Sequence, residues 1–86
     1  LPESIGNLSS LRELWIQNYS ITNLPETIGH LKALETLSLT NNQLKSLPES
    51  IGDLYSLEKL YLIENPLKDL PNSIEKLEKK GVRIYR

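Results

Sequence analysis

Leu34-Glu35-Thr36-Leu37-Ser38-Leu39-Thr40-Asn41-Asn42-Gln43-Leu44 decides the fold of this chain. Leu37 and Leu39 alternate with Thr36 and Ser38, the period of a short strand with one apolar and one polar face. Leu11, Leu14 and Ile16 stand 23 residues earlier, and Leu57, Leu60 and Leu62 stand 23 residues later. The same interval relates Ile21, Leu44 and Leu67, then Leu24, Leu47 and Leu70, then Pro25, Pro48 and Pro71. It also relates Ile28, Ile51 and Ile74, and Leu31, Leu54 and Leu77. Eight in-phase positions over three units are no accident, and they predict a stack of one supersecondary unit.

Working outward from the strand, each unit continues into a stretch such as Leu47-Pro48-Glu49-Ser50-Ile51-Gly52. Ile51, Leu54 and Leu57 are spaced for one face of a helical turn. A proline suits the start of such a turn, where its missing N–H has no partner in any case. Asn23, Ser46 and Asp69, two residues before each proline, are candidates to cap it. Gly6, Gly29 and Gly52 are expected either to end the turn or to let neighbouring backbones approach. One unit alone cannot cover both of its apolar sides, so neighbours must stack and share strand hydrogen bonds.

The run Leu34 to Leu44 matches L-x-x-L-x-L-x-x-N-x-L throughout, and Leu57 to Leu67 does so with Asn65 in the asparagine place. With the following Leu-Pro-x-x-Ile-Gly-x-Leu, the chain resembles leucine-rich-repeat proteins of the 23-residue class found in many bacterial and cytosolic eukaryotic proteins. The resemblance implies an α/β solenoid, with short parallel strands on the concave face and short helical segments on the convex face. It also implies protein binding, since members mostly bind proteins and some are recognition arms of GTPases, kinases or ubiquitin ligases. The expected organisation is one domain, 1–86. Residues 1–10 form a partial repeat, 11–33, 34–56 and 57–79 are full repeats, and 80–86 form a C-terminal capping strand. In the family's pattern the asparagine buries its amide against backbone groups, and Tyr19 stands in that place in the first full unit. Tyr cannot supply an amide's two donors and its acceptor oxygen. Either Asn18 or Ser20 takes over, or the ladder is looser there, or Tyr19 contacts a partner.

The two ends read differently. The chain starts in mid-unit, so strand 11–17 is expected at the edge of the sheet, covered by upstream repeats or by a neighbouring chain, including a second copy. At the other end, Glu75 to Lys80 reads as a polar helical segment. Gly81 to Tyr85 reads as a last strand with Val82 and Ile84 inward, one residue early relative to the 23-residue phase.

The 86 residues suffice for one small domain. Leucine and isoleucine supply 18 and 8 of them, while Cys, Met and Phe are absent. The absence of cysteine excludes disulfides, thiolate metal sites and a thiol nucleophile, and it favours a reducing, cytoplasmic setting. No apolar run is long enough to span a bilayer. A net charge of −1 gives no field that would draw nucleic acid or an anionic membrane. The charge is nonetheless divided, because residues 65–86 hold six basic and three acidic side chains. That basic end is either a solvated cap or a contact for an anionic partner.

Outward strand positions form columns across the predicted concave face: Trp15, Ser38, Tyr61 and Arg83; then Gln17, Thr40, Ile63 and Tyr85; then Asn18, Asn41, Glu64 and Arg86. Exposed aromatic rings on a sheet mark a binding face or merely stabilise one another across strands. The expected partner contacts are Trp15, Tyr61, Ile63 and Tyr85, with Arg83, Glu64, Glu58 and Lys59 giving polar selectivity. Ser38 is expected to interrupt the aromatic column. Nothing in the sequence points to catalysis. His30 sits in a polar turn, the glycines are too scattered for a phosphate loop, and no metal-ligand spacing occurs. Glu58 and Glu64 lie on an open, wet face, where nothing would tune them as an acid/base pair. No cofactor is expected. The partner is expected to be a protein or peptide, with the alternative that the chain is the recognition segment of a larger multidomain enzyme.

Overall fold

Every 23 residues, and at the last step 24, the chain returns to the same place and lays down another three-residue strand. The computed structural model describes residues 1–17 and 20–86; Asn18 and Tyr19, and the question of what replaces the ladder asparagine there, lie outside the described residues. The strands are β1 (Glu13–Trp15), β2 (Thr36–Ser38), β3 (Lys59–Tyr61) and β4 (Arg83–Tyr85). They form one parallel sheet in the order β1-β2-β3-β4. Leu14 pairs with Leu37 and Leu37 with Leu60, so the register repeats the sequence interval. Parallel strands need a crossover, and here the crossover is the back half of each unit. It contains a 3-10 helix at Glu26–His30 and at Glu49–Asp53, preceded in the partial unit by one at Glu3–Asn7. The last crossover instead forms the α-helix α1 (Ser73–Lys79).

The aliphatic positions close the interior. Leu34, Leu37, Leu39, Leu44, Ile51 and Leu60 are wholly buried, and Ile28, Leu31, Leu54, Leu62 and Leu77 complete the column between sheet and turns. Ile5, Leu11, Leu14, Ile16, Leu67, Leu70 and Ile84 pack against it while only partly covered. The architecture is the expected α/β solenoid.

Two asparagines tie adjacent units together. The amide of Asn42, itself buried, donates to Leu39 O in its own unit and to Ile16 O in the unit before, both at 2.9 Å. Asn65 repeats the arrangement, donating to Leu62 O at 3.0 Å and to Leu39 O at 2.8 Å, while its Oδ1 accepts from Leu44 N. Each amide thereby satisfies carbonyls that the short strands leave unpaired.

The turns are built differently from the sequence expectation. Asn23, Ser46 and Asp69 do not cap them. Each 3-10 helix begins directly after its proline, with no side-chain cap. The extended proline delivers its own carbonyl to the turn: Ile28 N donates to Pro25 O and Ile51 N to Pro48 O, both at 3.1 Å. The glycines serve close approach. A Cβ on Gly29 would stand 2.6 Å from Ser50 O, and one on Gly52 would stand 2.6 Å from Ser73 Cβ in the next unit. The last unit has Glu75 at this place, and its run Glu75-Lys76-Leu77-Glu78-Lys79 is made of good helix formers. That explains why α1 is a true α-helix where the glycine-bearing turns stop after five residues.

The longer helix shifts β4. Lys80 continues in helical conformation, and Gly81 then reverses the chain at φ +91°, a left-handed geometry that glycine adopts without penalty. One extra residue is consumed. Leu60 pairs with Ile84 and Tyr61 with Tyr85, an interval of 24. The last strand therefore runs one residue late, and the expectation of one residue early is corrected. Val82 and Ile84 do point inward: Val82 is buried and Ile84 packs on the core.

Candidate protein-interaction surface

The register decides which side chains share the hollow side of the sheet. Leu14, Leu37, Leu60 and Ile84 face the core, so Trp15, Ser38, Tyr61 and Tyr85 form the row one residue further on. Tyr85, not Arg83, continues this aromatic row. Arg83 joins Glu13, Thr36 and Lys59 in the row two residues earlier.

Ser38 does not break the aromatic row; it makes room for it. Trp15 and Tyr61 belong to strands two apart, roughly 9.6 Å in backbone terms. Yet their ring centroids are 5.9 Å apart with an interplanar angle of 26°. The rings lean together over the small side chain between them, which is only 3% exposed. The buried Ser38 hydroxyl reaches Thr40 Oγ1 at 3.5 Å. Tyr61 also stacks on Tyr85, at 4.7 Å and 11°. The result is a continuous shelf of three rings running from β1 to β4, within the separation at which offset aromatic pairs attract.

Stacking does not hide the shelf. Trp15 remains 62% exposed and Tyr85 38%, while Tyr61, flanked on both sides, is half-buried. Trp15 is oriented by its own strand, because its indole Nε1 donates to Glu13 Oε1 at 3.1 Å. Ile63 lies beyond Tyr61 along the same chain and is 41% exposed. Glu58, Lys59, Glu64 and Arg83 are exposed as expected. Glu64 has a feature the sequence did not flag: its φ is +64°, the left-handed region, like that of Asn41 at +60°. Asparagine tolerates that geometry far better than glutamate does.

A second aromatic site was missed by sequence reasoning. Tyr55, in the turn before β3, is exposed, with Lys32 Nζ 4.2 Å and Lys80 Nζ 5.0 Å from its ring centroid. The strand alternation used to find the rings does not reach into this turn. Lys32 is pinned there, since its Nζ donates to Asp53 O at 2.9 Å.

The other candidates are dispersed. His30 is exposed at the end of the second 3-10 helix. Among the described residues no three His, Cys, Asp or Glu side chains gather closely enough to hold a metal ion. Nor, among the described residues, is any helix long and apolar enough to cross a membrane. A hollow of about 540 Å³ on the convex side is lined by Glu26, Glu49, Asp53, Asn72 and other polar residues. It lacks the apolar walls that bury a small ligand.

Known proteins place this geometry. Residues 2–79 match a family described as a leucine-rich repeat region. Among solved structures, a leucine-rich-repeat protein of Leptospira interrogans superposes with a TM-score of 0.85 at 38% sequence identity. All of the chain is covered, and it spans 22% of that protein's length. A comparison with curated proteins finds no match.

Proposed function

This chain belongs to the leucine-rich-repeat family, whose fold generally serves as a non-catalytic scaffold for protein interactions, and we propose that it binds a protein or peptide partner on its concave strand face. The observation that carries this reading is the three-ring shelf of Trp15, Tyr61 and Tyr85, built across the sheet over Ser38 and still open to water. Aromatic side chains on a rigid surface bury large areas at small entropic cost, which is why they dominate interface energetics. Ile63 extends the apolar area, and Lys59, Arg83, Glu58 and Glu64 frame it with charge. Cross-strand stacking supports the sheet as well, and it leaves the outer faces of the rings open to a partner.

The test compares capture of a binding protein by the wild type and by the Trp15→Ala, Tyr61→Ala double variant, with circular dichroism confirming that both are folded. The expected result is loss of the captured protein at equal fold content. Undiminished capture by the folded double variant contradicts the assignment of this face.

A second reading sets the same face within a longer protein, as the recognition segment of a multidomain enzyme such as a GTPase, kinase or ubiquitin ligase. This reading rests on the family resemblance; the structural neighbour, of which the chain spans 22%, is itself a leucine-rich-repeat protein. The full reading frame distinguishes the two, since a product made only of repeats eliminates the enzyme. Edge pairing of two copies along β1 is a further use of the sheet, and sedimentation showing only monomer at high concentration would dispose of it.

A further inference from the structure

We infer that the partner presents an acidic segment, with a carboxylate seated between Lys59 and Arg83 and an apolar side chain two residues away lying on the Tyr61 and Tyr85 rings. This rests on the concave face being the binding surface, and it adds the partner's chemistry and its place on that face.

The register sets Lys59 directly opposite Arg83 on adjacent strands. Both are exposed, and among the described residues neither side chain forms an ion pair. Among the described residues the single ion pair is Arg86 with Glu78, at 3.3 Å. Like charges facing one another across a strand pair weaken a sheet. The register therefore sets two like charges side by side, a pairing that an arriving anion would relieve.

The surroundings strengthen the point. Lys59 and Arg83 line a groove of about 360 Å³ together with Leu57, Glu58, Lys80 and Gly81. Three cations face one carboxylate there, that of Glu58. Lys80 stands near the Tyr55 ring, so the third cation is not a freely swinging one. At Gly81, a lining residue, nothing beyond its chain neighbours lies within 4 Å of the place a Cβ would take.

Spacing links this groove to the shelf. Tyr61 and Tyr85 follow Lys59 and Arg83 by two residues on the same two strands, so they lie on the same face about 6.8 Å further along. Residues i and i+2 of an extended peptide have that same separation. A segment lying along β3 and β4 can then set Asp or Glu at the cations and a leucine or an aromatic residue on the rings. At the other end of the sheet the matching row holds Glu13 and Thr36, which offer no cation. The acidic group is thereby directed to the β3–β4 side.

Selection of a random twelve-residue peptide-display library on the immobilised chain tests this, with the Trp15→Ala, Tyr61→Ala variant as counter-selection. Ring-dependent peptides are expected to share Asp or Glu two positions from a large apolar residue. A synthetic peptide of that kind is expected to bind the Lys59→Gln, Arg83→Gln variant at least tenfold more weakly than the wild type. The Lys59→Glu, Arg83→Glu variant is expected to select basic residues instead. The glutamine variant removes a like-charge pair and the glutamate variant exchanges one like-charge pair for another; at these exposed positions both are expected to stay folded, which circular dichroism checks. Ring-dependent peptides without acidic residues, or acidic peptides indifferent to the charge changes, overturn this inference and leave the binding face standing. Failure to recover any ring-dependent peptide overturns both.

Discussion

The first full unit and the central unit carry nearly the same inward residues, yet water reaches one and not the other. Leu34, Leu37 and Leu39 are wholly buried, whereas Leu11, Leu14 and Ile16 at the same three places are partly exposed. The side chains are almost identical; the number of neighbours differs. β2 is flanked by β1 and β3, and β1 has only β2. In a quasi-one-dimensional stack, stability is a sum of unit and nearest-neighbour terms, so place in the row sets what a residue contributes. The central unit even serves the first one, since Asn42 reaches back to Ile16 O.

The contrast is tested most severely by truncation at equivalent places. Leu37→Ala removes a fully enclosed side chain and is expected to cost about 3–5 kcal/mol, whereas Leu14→Ala should cost about 1–2 kcal/mol. Urea denaturation of the two variants measures this, and equal losses would deny that stack position governs burial. Next in size is Asn42→Ala, which strips donors from Leu39 O and Ile16 O. It should cost about 1–2 kcal/mol, because Ile16 O loses this donor and keeps its desolvation penalty, whereas Leu39 O still accepts from Asn65 Nδ2. Amide hydrogen exchange sharpens the comparison, since protection is expected to fall more in β1 than in β3. Smallest is Glu64→Asn. At φ +64° a glutamate is strained where Asn41 in the central unit is not. The substitution is expected to stabilise by about 0.5–1 kcal/mol in thermal unfolding.

Much of this was legible because the alternation of Thr36-Leu37-Ser38-Leu39 recurs at an exact interval. Repetition averages out the ambiguity of any one short strand, so the inward leucines and the outward Trp15 and Tyr61 could be named beforehand. What escaped depends on contacts rather than period. β4 arrives late because α1 lengthens before Gly81 turns the chain, and only the register shows that Tyr85 rather than Arg83 extends the aromatic row. Ser38 looked like a gap because a single column does not tell how far rings on either side lean over it. The caps expected from Asn23, Ser46 and Asp69 were displaced by the proline carbonyls, an option that side-chain preferences do not display. The left-handed geometry of Glu64 likewise follows from the bend it shares with Asn41, after β3 and β2, and not from its own residue type.

The shelf and the core make opposite demands on the same strands: the leucines must be dry, and the rings beside them must stay wet. Trp15 is the only tryptophan, so its fluorescence reports on the shelf alone. Collisional quenching by iodide and acrylamide in the folded chain measures that directly. We predict a solvent-like emission with quenching by both agents close to that of the denatured chain. A blue-shifted emission shielded from both in the folded monomer would place the indole inside and contradict the account.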